Sequence, residues 1–351
     1  MSHLPKTTLA AILVEQKKPL VIAEIQLPDT LVVGQVLVEF FYSGICGSQL
    51  GEIDGVKGPD KWMPHLLGHE ASGKVLAIGP GVKHVKPGDT VVAHWRPSLG
   101  IEAETPKYLW NGLTVNAGWV TSFNKHAVIS ENRLTTVSHE TPLQVAALFG
   151  CAVTTGFGVV DNKAKIRLGE TVVVFGAGGI GLNITQAASL VGASCVIAVD
   201  KHNNRLELAN QCGATHTINS KECDVWKTLG EMLPKGCDVF IDNTGSPSII
   251  SRGYEFMNAK GRMVLVGVPA KGNDTPIYTL GLHFGKSMTG TTGGEAEPHF
   301  DIPRYLGLLK SRQIDLNEII TEIAPLHQVN TLIEHMRSGH SAGRCLVDLT
   351  Q

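Results

Sequence analysis

The sequence predicts an α/β protein, a doubly wound parallel sheet joined to a β-rich, barrel-like part, and three observations carry the prediction. An apolar, β-branched run at 172–175 breaks directly into Gly176-Ala177-Gly178-Gly179-Ile180-Gly181 and then into helix-like sequence. Beyond residues 154–170, strand-like and helix-like segments alternate. Before them, residues 9–137 read as short apolar runs separated by turn residues.

In the first part, runs at 36–40, 71–77 and 90–93 are bounded by Pro80-Gly81 and Pro87-Gly88-Asp89, turn signals that suit a barrel of short strands. In the second, a strand at 172–175 leads to a helix at 182–191 closed by Gly192. A strand at 195–199, a helix at 204–212 closed by Gly213, and a strand at 216–218 follow. Further strands at 239–242, 263–268 and 287–290, with a helical connection near 247–256, bring the count to about six, and glycines after the helices are natural C-caps. From about Glu295, helix-like 301–311 and 326–338 and a closing strand at 344–349 return to the first part. No internal repeat or low-complexity linker interrupts the chain.

The glycine turn has the composition a dinucleotide pyrophosphate needs. Gly176 can turn tightly, Gly178 lets the backbone approach phosphates with no Cβ in the way, and Gly181 lets the helix pack close to the strand. Phosphates then face the free N–H groups and positive dipole end of a helix. Asp200 stands 24 positions after Gly176 at the tip of the next strand, placed to accept from a ribose hydroxyl and to repel a 2′-phosphate, so NAD is expected over NADP. Lys201, His202 and Arg205 beside it are the residues that could accommodate the extra phosphate.

The chain has 351 residues, room for two domains, and 30 basic residues against 32 acidic, with no basic tail or stripe for nucleic acid or an anionic membrane surface. No apolar run approaches the ~20 residues of a membrane span, and Met1-Ser2-His3-Leu4-Pro5-Lys6 lacks a secretory core. Seven scattered cysteines form no disulfide frame or zinc ribbon, so a reducing, cytoplasmic setting is expected.

Three residues ahead of the sheet stand in suggestive settings: Cys46 in Gly44-Ile45-Cys46-Gly47-Ser48, His69 in Gly68-His69-Glu70, and Cys151 in Gly150-Cys151-Ala152-Val153-Thr154-Thr155-Gly156. Two thiolates and an imidazole suit Zn²⁺, and three protein ligands leave a fourth position for chemistry. Taken singly, a buried cysteine is more often a small hydrophobe and a lone histidine a satisfied core or surface residue.

Together with Gly73, Gly79, Pro87-Gly88-Asp89, the glycine turn and Asp200, these motifs resemble the zinc-dependent medium-chain dehydrogenases, the alcohol dehydrogenase family, over essentially the whole chain. The resemblance implies a GroES-like β-barrel catalytic domain at 1–155 and 295–351, interrupted by a Rossmann domain at 156–294, with one catalytic zinc in the cleft between them. It also implies that Ser48 bonds the substrate hydroxyl and begins proton release, that Thr155 packs beside the nicotinamide, and that Glu70 supports the metal or joins it transiently. Arg344, in Ala342-Gly343-Arg344, is similar to the family's late pyrophosphate-binding arginine. A homodimer or homotetramer is expected from the same likeness.

Three departures qualify it. Residues 93–118 contain none of the four cysteines that hold a structural zinc in many members, so one zinc per chain is expected. Gln49 stands where the family often has Asp, and a neutral amide orients an imidazole less strongly than a carboxylate. Gly51 replaces a proton-relay histidine, leaving ribose hydroxyls, His65 or water as the exit route.

The expected reaction is reversible NAD-linked oxidation of a primary, secondary, polyol or cyclitol alcohol to its aldehyde or ketone. Residues 116–120 and 301–303 resemble a formaldehyde-linked or aryl-alcohol subgroup. The alternatives are a zinc-free enone or quinone reductase on the same scaffold and a non-catalytic nucleotide-binding protein. The aromatic segment from His94 to Trp110 is read as a loop at an oligomer contact or at the substrate entrance. Trp119, Ser122, Phe123 and Asn124 are candidate pocket residues, and Cys195, Cys212, Cys223, Cys237 and Cys345 structural thiols.

Overall fold

The computed structural model describes residues 4–56 and 58–351, so the first three residues of the N-terminal motif lie outside the described residues. The chain forms two compact units, one running to Thr154 and resuming at Glu297, the other Thr155–Ala296.

In the first unit, Thr7–Leu13, Val21–Gln26, Lys107–Trp110, Leu113–Asn116 and His65–Leu66 close a small barrel. A second sheet runs in the order Leu134–Thr136, Thr90–His94, Glu70–Ile78, Gln35–Gly44, Arg344–Asp348, Ile320–Pro325, with His126–Ser130 also pairing with Gln35–Gly44. The C-terminal strand is therefore central: Leu346, Val347 and Asp348 pair with Gly44, Ser43 and Tyr42 on one side and with Ile323, Ala324 and Pro325 on the other. The core beneath these strands includes Leu13, Val38, Phe40, Ile45, Phe123, Ile129 and Val347, all buried.

The segment read as an aromatic loop contains a hairpin. Lys107–Trp110 and Leu113–Asn116 are joined through Asn111 and Gly112, both at positive φ (50° and 79°), as a two-residue primed turn requires. Tyr108 is buried in the barrel with its hydroxyl accepting from the Val128 N–H at 2.9 Å. Alternation in Lys-Tyr-Leu-Trp is too short to stand out, although Asn-Gly was the local signal. Ser122, Phe123 and Asn124 are also corrected: all three are fully buried core or hydrogen-bonding residues, with Ser122 Oγ 2.7 Å from Ser43 Oγ.

The second unit holds six parallel strands in the order His216–Asn219, Cys195–Asp200, Thr171–Phe175, Val239–Asp242, Arg262–Leu265, Ser287–Gly290. That is the doubly wound arrangement, with the first strand central and the order reversing beside it. Helices Gly179–Leu190 and Asn203–Gln211 end where expected, at Gly192 (φ 88°) and Gly213 (φ 92°). On one face Trp226 stacks on Phe175 and Phe240 with ring centroids 5.7 and 6.3 Å apart. Trp226 lies on the helix Val225–Met232, which begins with Asp224 accepting from the Trp226 and Lys227 N–H groups. Strand Arg262–Leu265 is shorter than the expected 263–268, because Gly267 packs directly against the backbone of Asn243 and Thr244.

His94 ends the strand facing Glu70 and is buried, which pushes its pKa down to about 4. Its Nδ1–H donates to Arg96 O at 2.8 Å while Thr135 Oγ1 donates to Nε2 at 2.9 Å, the bonds of a neutral ring. The folded state thus binds fewer protons here than the unfolded chain. Stability from this group is complete above the unfolded value near 6.5 and is lost as pH falls toward 4. Denaturant unfolding of the metal-free protein should therefore weaken by up to about 3 kcal/mol more over that window in wild type than in His94→Gln.

Candidate metal centre

Cys46, His69 and Cys151 all belong to the first unit, and each is positioned by a glycine that local packing demands. Cys46 caps the short helix Gly47–Ile53 from an extended conformation (φ −101°, ψ 149°). Gly44, just before it, lies so close to the Glu70 carboxylate that a Cβ would collide with it. Gly68 has φ 90°, and a Cβ there would strike Ser122 Oγ and the Phe123 N–H. His69 leaves this turn immediately before the strand Glu70–Ile78. Cys151 follows Gly150, which packs against Ala93 O and the Glu70 backbone.

The outcome is one sulfur, one ring nitrogen and a second sulfur, all within 4.8 Å of one another. Among the described residues this is the group of three or more such side chains close enough to share an ion. The donor set fits zinc: two thiols and an imidazole, with one further position left to a tetrahedral ion. The residue most telling for fit is His69, whose Nε2 is buried with no hydrogen-bond partner in the protein. An orphaned buried nitrogen is costly unless something else takes its place.

Charge is arranged to favour a thiolate. The neighbouring Cys151 thiol and the Arg344 charge hold the Cys46 pKa well below that of an ordinary thiol despite burial. The neighbouring Cys46 sulfur, together with burial, pushes Cys151 up. Burial alone would lower His69, but the neighbouring Cys46 sulfur and the Glu70 charge raise it on balance.

Glu70 joins three distant parts of the chain. Its side chain is fully buried and accepts from Arg344 Nη2 and from the Ala152 N–H at 3.2 Å, while its backbone carbonyl accepts from Ser43 Oγ at 3.1 Å. Arg344, expected at a pyrophosphate, is itself buried (3% exposed) and committed to Glu70, whose carboxylate raises the guanidinium pKa further against the pull of burial. Ser48 is exposed on the helix after Cys46, and Thr155 is buried in the helix Ala152–Gly158. His65 has both ring nitrogens engaged, Nε2 with Asp60 at 2.7 Å and Nδ1 with Leu66 O at 2.9 Å, so it offers no free nitrogen to a proton relay. Trp119 is 44% exposed and stacks under Arg133 at 5.2 Å.

The glycine turn in the second unit has the expected form. Gly176 has φ 97°, and a Cβ on Gly181 would collide with Gly176 O, so the first and third glycines are fixed by sterics. A Cβ on Gly178 would meet nothing within 4 Å; it would project into open space at the N-terminus of Gly179–Leu190, the cradle a phosphate needs. Gly179 and Ile180 form the first turn of that helix. Asp200 does more than expected: one oxygen accepts from the Ala177 N–H at 2.8 Å, fastening the glycine turn to the next strand. The other accepts from Lys201 and His202 N–H at 2.8 and 3.1 Å. Arg205 stands 3.8 Å from it, and Lys201 is exposed. Sequence reasoning missed Asn243, whose side chain donates to Gly176 O at 3.3 Å, and Asp242, whose carboxylate accepts from the Thr244 and Gly245 N–H groups at 3.2 and 2.9 Å. The turn Asp-Asn-Thr-Gly after an apolar run was the available signal.

Because Glu70 and Arg344 are buried as a pair, removing one charge strands the other. Arg344→Met should cost about 3–5 kcal/mol in denaturant unfolding, and adding Glu70→Gln should recover most of it.

Residues 33–139 match the model of the alcohol dehydrogenase GroES-like domain, and residues 179–311 that of the zinc-binding dehydrogenase family. The chain is 30% identical to the alcohol dehydrogenase class-3 of Cereibacter sphaeroides, covering 95% of this chain and 98% of that one. It is also 30% identical to the S-(hydroxymethyl)glutathione dehydrogenase of Paracoccus denitrificans over the same shares. Among solved structures, the benzyl alcohol dehydrogenase of Acinetobacter calcoaceticus is 27% identical with a TM-score of 0.88, covering 98% of this chain and 99% of that one. The glycine turn, the cysteine and histidine donors and a whole-length match therefore agree: the chain is an oxidoreductase belonging to the zinc-binding alcohol dehydrogenase family.

Proposed function

We propose that the chain interconverts a primary alcohol and its aldehyde with NAD as hydride carrier, through one zinc ion held by Cys46, His69 and Cys151. The convergence of those three donor atoms within 4.8 Å is the observation that carries the reading. A zinc ion held there would supply a Lewis acid for the substrate oxygen, and a bound NAD would supply the hydride carrier. The names of the relatives, S-(hydroxymethyl)glutathione and benzyl alcohol dehydrogenases, favour a substrate carrying a terminal hydroxymethyl group.

In this reading the unit running to Thr154 and resuming at Glu297 is the catalytic domain, and Thr155–Ala296 binds the coenzyme. Ser48 Oγ, exposed directly after the Cys46 ligand, takes the substrate's hydroxyl proton and releases it to water, since neither Gly51 nor the engaged His65 can relay it. Glu70 and Arg344 brace the ligand shell. Gly176, Gly178, Gly179, Ile180 and Gly181 would hold the pyrophosphate, Thr155 would lie by the nicotinamide, and Asp200 would take a ribose hydroxyl with the one lone-pair site its three backbone bonds leave open. Lys201 and Arg205 flank that ribose.

Two further readings accompany this one. No helix among the described residues is long and apolar enough to cross a membrane. None of the seven cysteines forms a disulfide, which supports a reducing, cytoplasmic setting. The strand Ser287–Gly290 lies at the edge of its sheet, with Tyr278 and Phe284 over 70% exposed in the segment before it. A second copy of the chain covering that edge, in a homodimer or homotetramer, accounts for the exposure.

Purified protein should retain about one zinc per chain, as an open three-ligand site implies, and oxidise a hydroxymethyl substrate with NAD. Cys46→Ala, His69→Ala and Cys151→Ala should each lose the metal and at least 10³-fold in turnover, a loss of the order expected for removing a Lewis acid, with circular dichroism unchanged. Turnover that survives in metal-free protein would favour the zinc-free reductase instead.

A further inference from the structure

Gln49 stands between two demands that one neutral amide cannot meet together. Its Oε1 accepts from the Cys46 backbone N–H at 2.7 Å, closing the cap of the helix Gly47–Ile53, and its amino group faces Nδ1 of His69. The Cys46 N–H can only donate, so the carbonyl must point to it and the amino group must point to the ring. Nδ1 is then an acceptor, and the single proton of a neutral imidazole sits on Nε2. Nε2 is the ring atom left to complete the group with the two sulfurs, and it is buried without a hydrogen-bond partner. A metal ion needs a lone pair there, which the ring has only in its other tautomer.

We infer that Gln49 holds His69 in the tautomer that cannot ligate, so that metal uptake turns the Gln49 amide over and surrenders the Cys46 N–H bond. The ring loses one proton from Nε2 and gains one at Nδ1, with no net change. Nδ1–H then donates to the turned carbonyl, and the amino group faces the Cys46 N–H, donor against donor. The metal-bearing state is short of one buried hydrogen bond that the metal-free state has, and the site releases zinc more readily than one with a carboxylate at this position. A carboxylate has acceptors for both neighbours at once and has no such conflict. Gln49 is on this account a positioning residue, acting through His69, and the inference rests on the three-ligand reading of the site.

The test uses full-length, zinc-loaded protein and the rate of zinc transfer to an excess of chelator. Gln49→Glu, the same length with an acceptor at each end, should release zinc about 10- to 100-fold more slowly than wild type, the range typical of groups that orient a ligating histidine. Equal or faster release from folded Gln49→Glu overturns the inference. A second measurement needs no variant. In protein labelled with ¹⁵N at cysteine, the Cys46 amide proton should move upfield on zinc loading as its acceptor turns away. A Cys46 amide that stays hydrogen-bonded in the loaded wild type overturns the inference. Folded wild type that takes up no zinc removes the three-ligand reading, a result distinct from tight binding that Gln49→Glu leaves unaltered.

Discussion

Two sulfurs and an imidazole must come within a few ångströms of one another although Cys46 and Cys151 are 105 positions apart in the sequence. Everything around them serves that constraint. The strand Gln35–Gly44 delivers Cys46, the turn at Gly68 delivers His69 ahead of the strand paired to it, and Gly150 lets Cys151 press against the Glu70 backbone. Glu70 then bonds the N–H that follows Cys151 and the guanidinium of Arg344 on the C-terminal strand. A buried ion pair contributes little net stability by itself, but it admits few alternative arrangements, and here it joins residues 274 positions apart.

The electrostatics follow from the same packing. A cluster with two buried thiols, one low-lying and one high-lying, a half-buried imidazole and a fixed guanidinium is poised for a divalent cation, whose charge would offset the two sulfurs once both lose their protons. In the glycine turn of the other unit, Gly176 and Gly181 are glycine because the backbone angle or a collision forbids a side chain, while Gly178 leaves open the space a phosphate needs. Asp200 has two tasks at once, holding the turn through the Ala177 N–H and presenting charge at the strand tip.

Legibility followed range along the chain. The glycine turn, its helix and the caps at Gly192 and Gly213 could be read because each is decided within a few residues by backbone sterics. The three donor residues could be read only because their motifs resembled a family; spacing alone leaves a cysteine or histidine ambiguous. The hairpin at Asn111-Gly112 was overlooked because its strands are four residues each and aromatic residues dominate the segment. The partnership of Arg344 with Glu70 could not be read, since it depends on the C-terminal strand entering the middle of a sheet begun at Gln35. Gln49 was visible as a departure, yet its conflict between Cys46 and His69 emerges only once both partners are located.

The whole arrangement points to one zinc bound by two sulfurs and one imidazole nitrogen of this chain, with a lighter fourth ligand. X-ray absorption at the zinc edge tests it directly. The expected spectrum has a shell of two sulfurs at about 2.3 Å and two nitrogen or oxygen atoms at about 2.0–2.1 Å, one of them with the multiple-scattering signature of imidazole. A shell of four sulfurs, or one without sulfur, would contradict it.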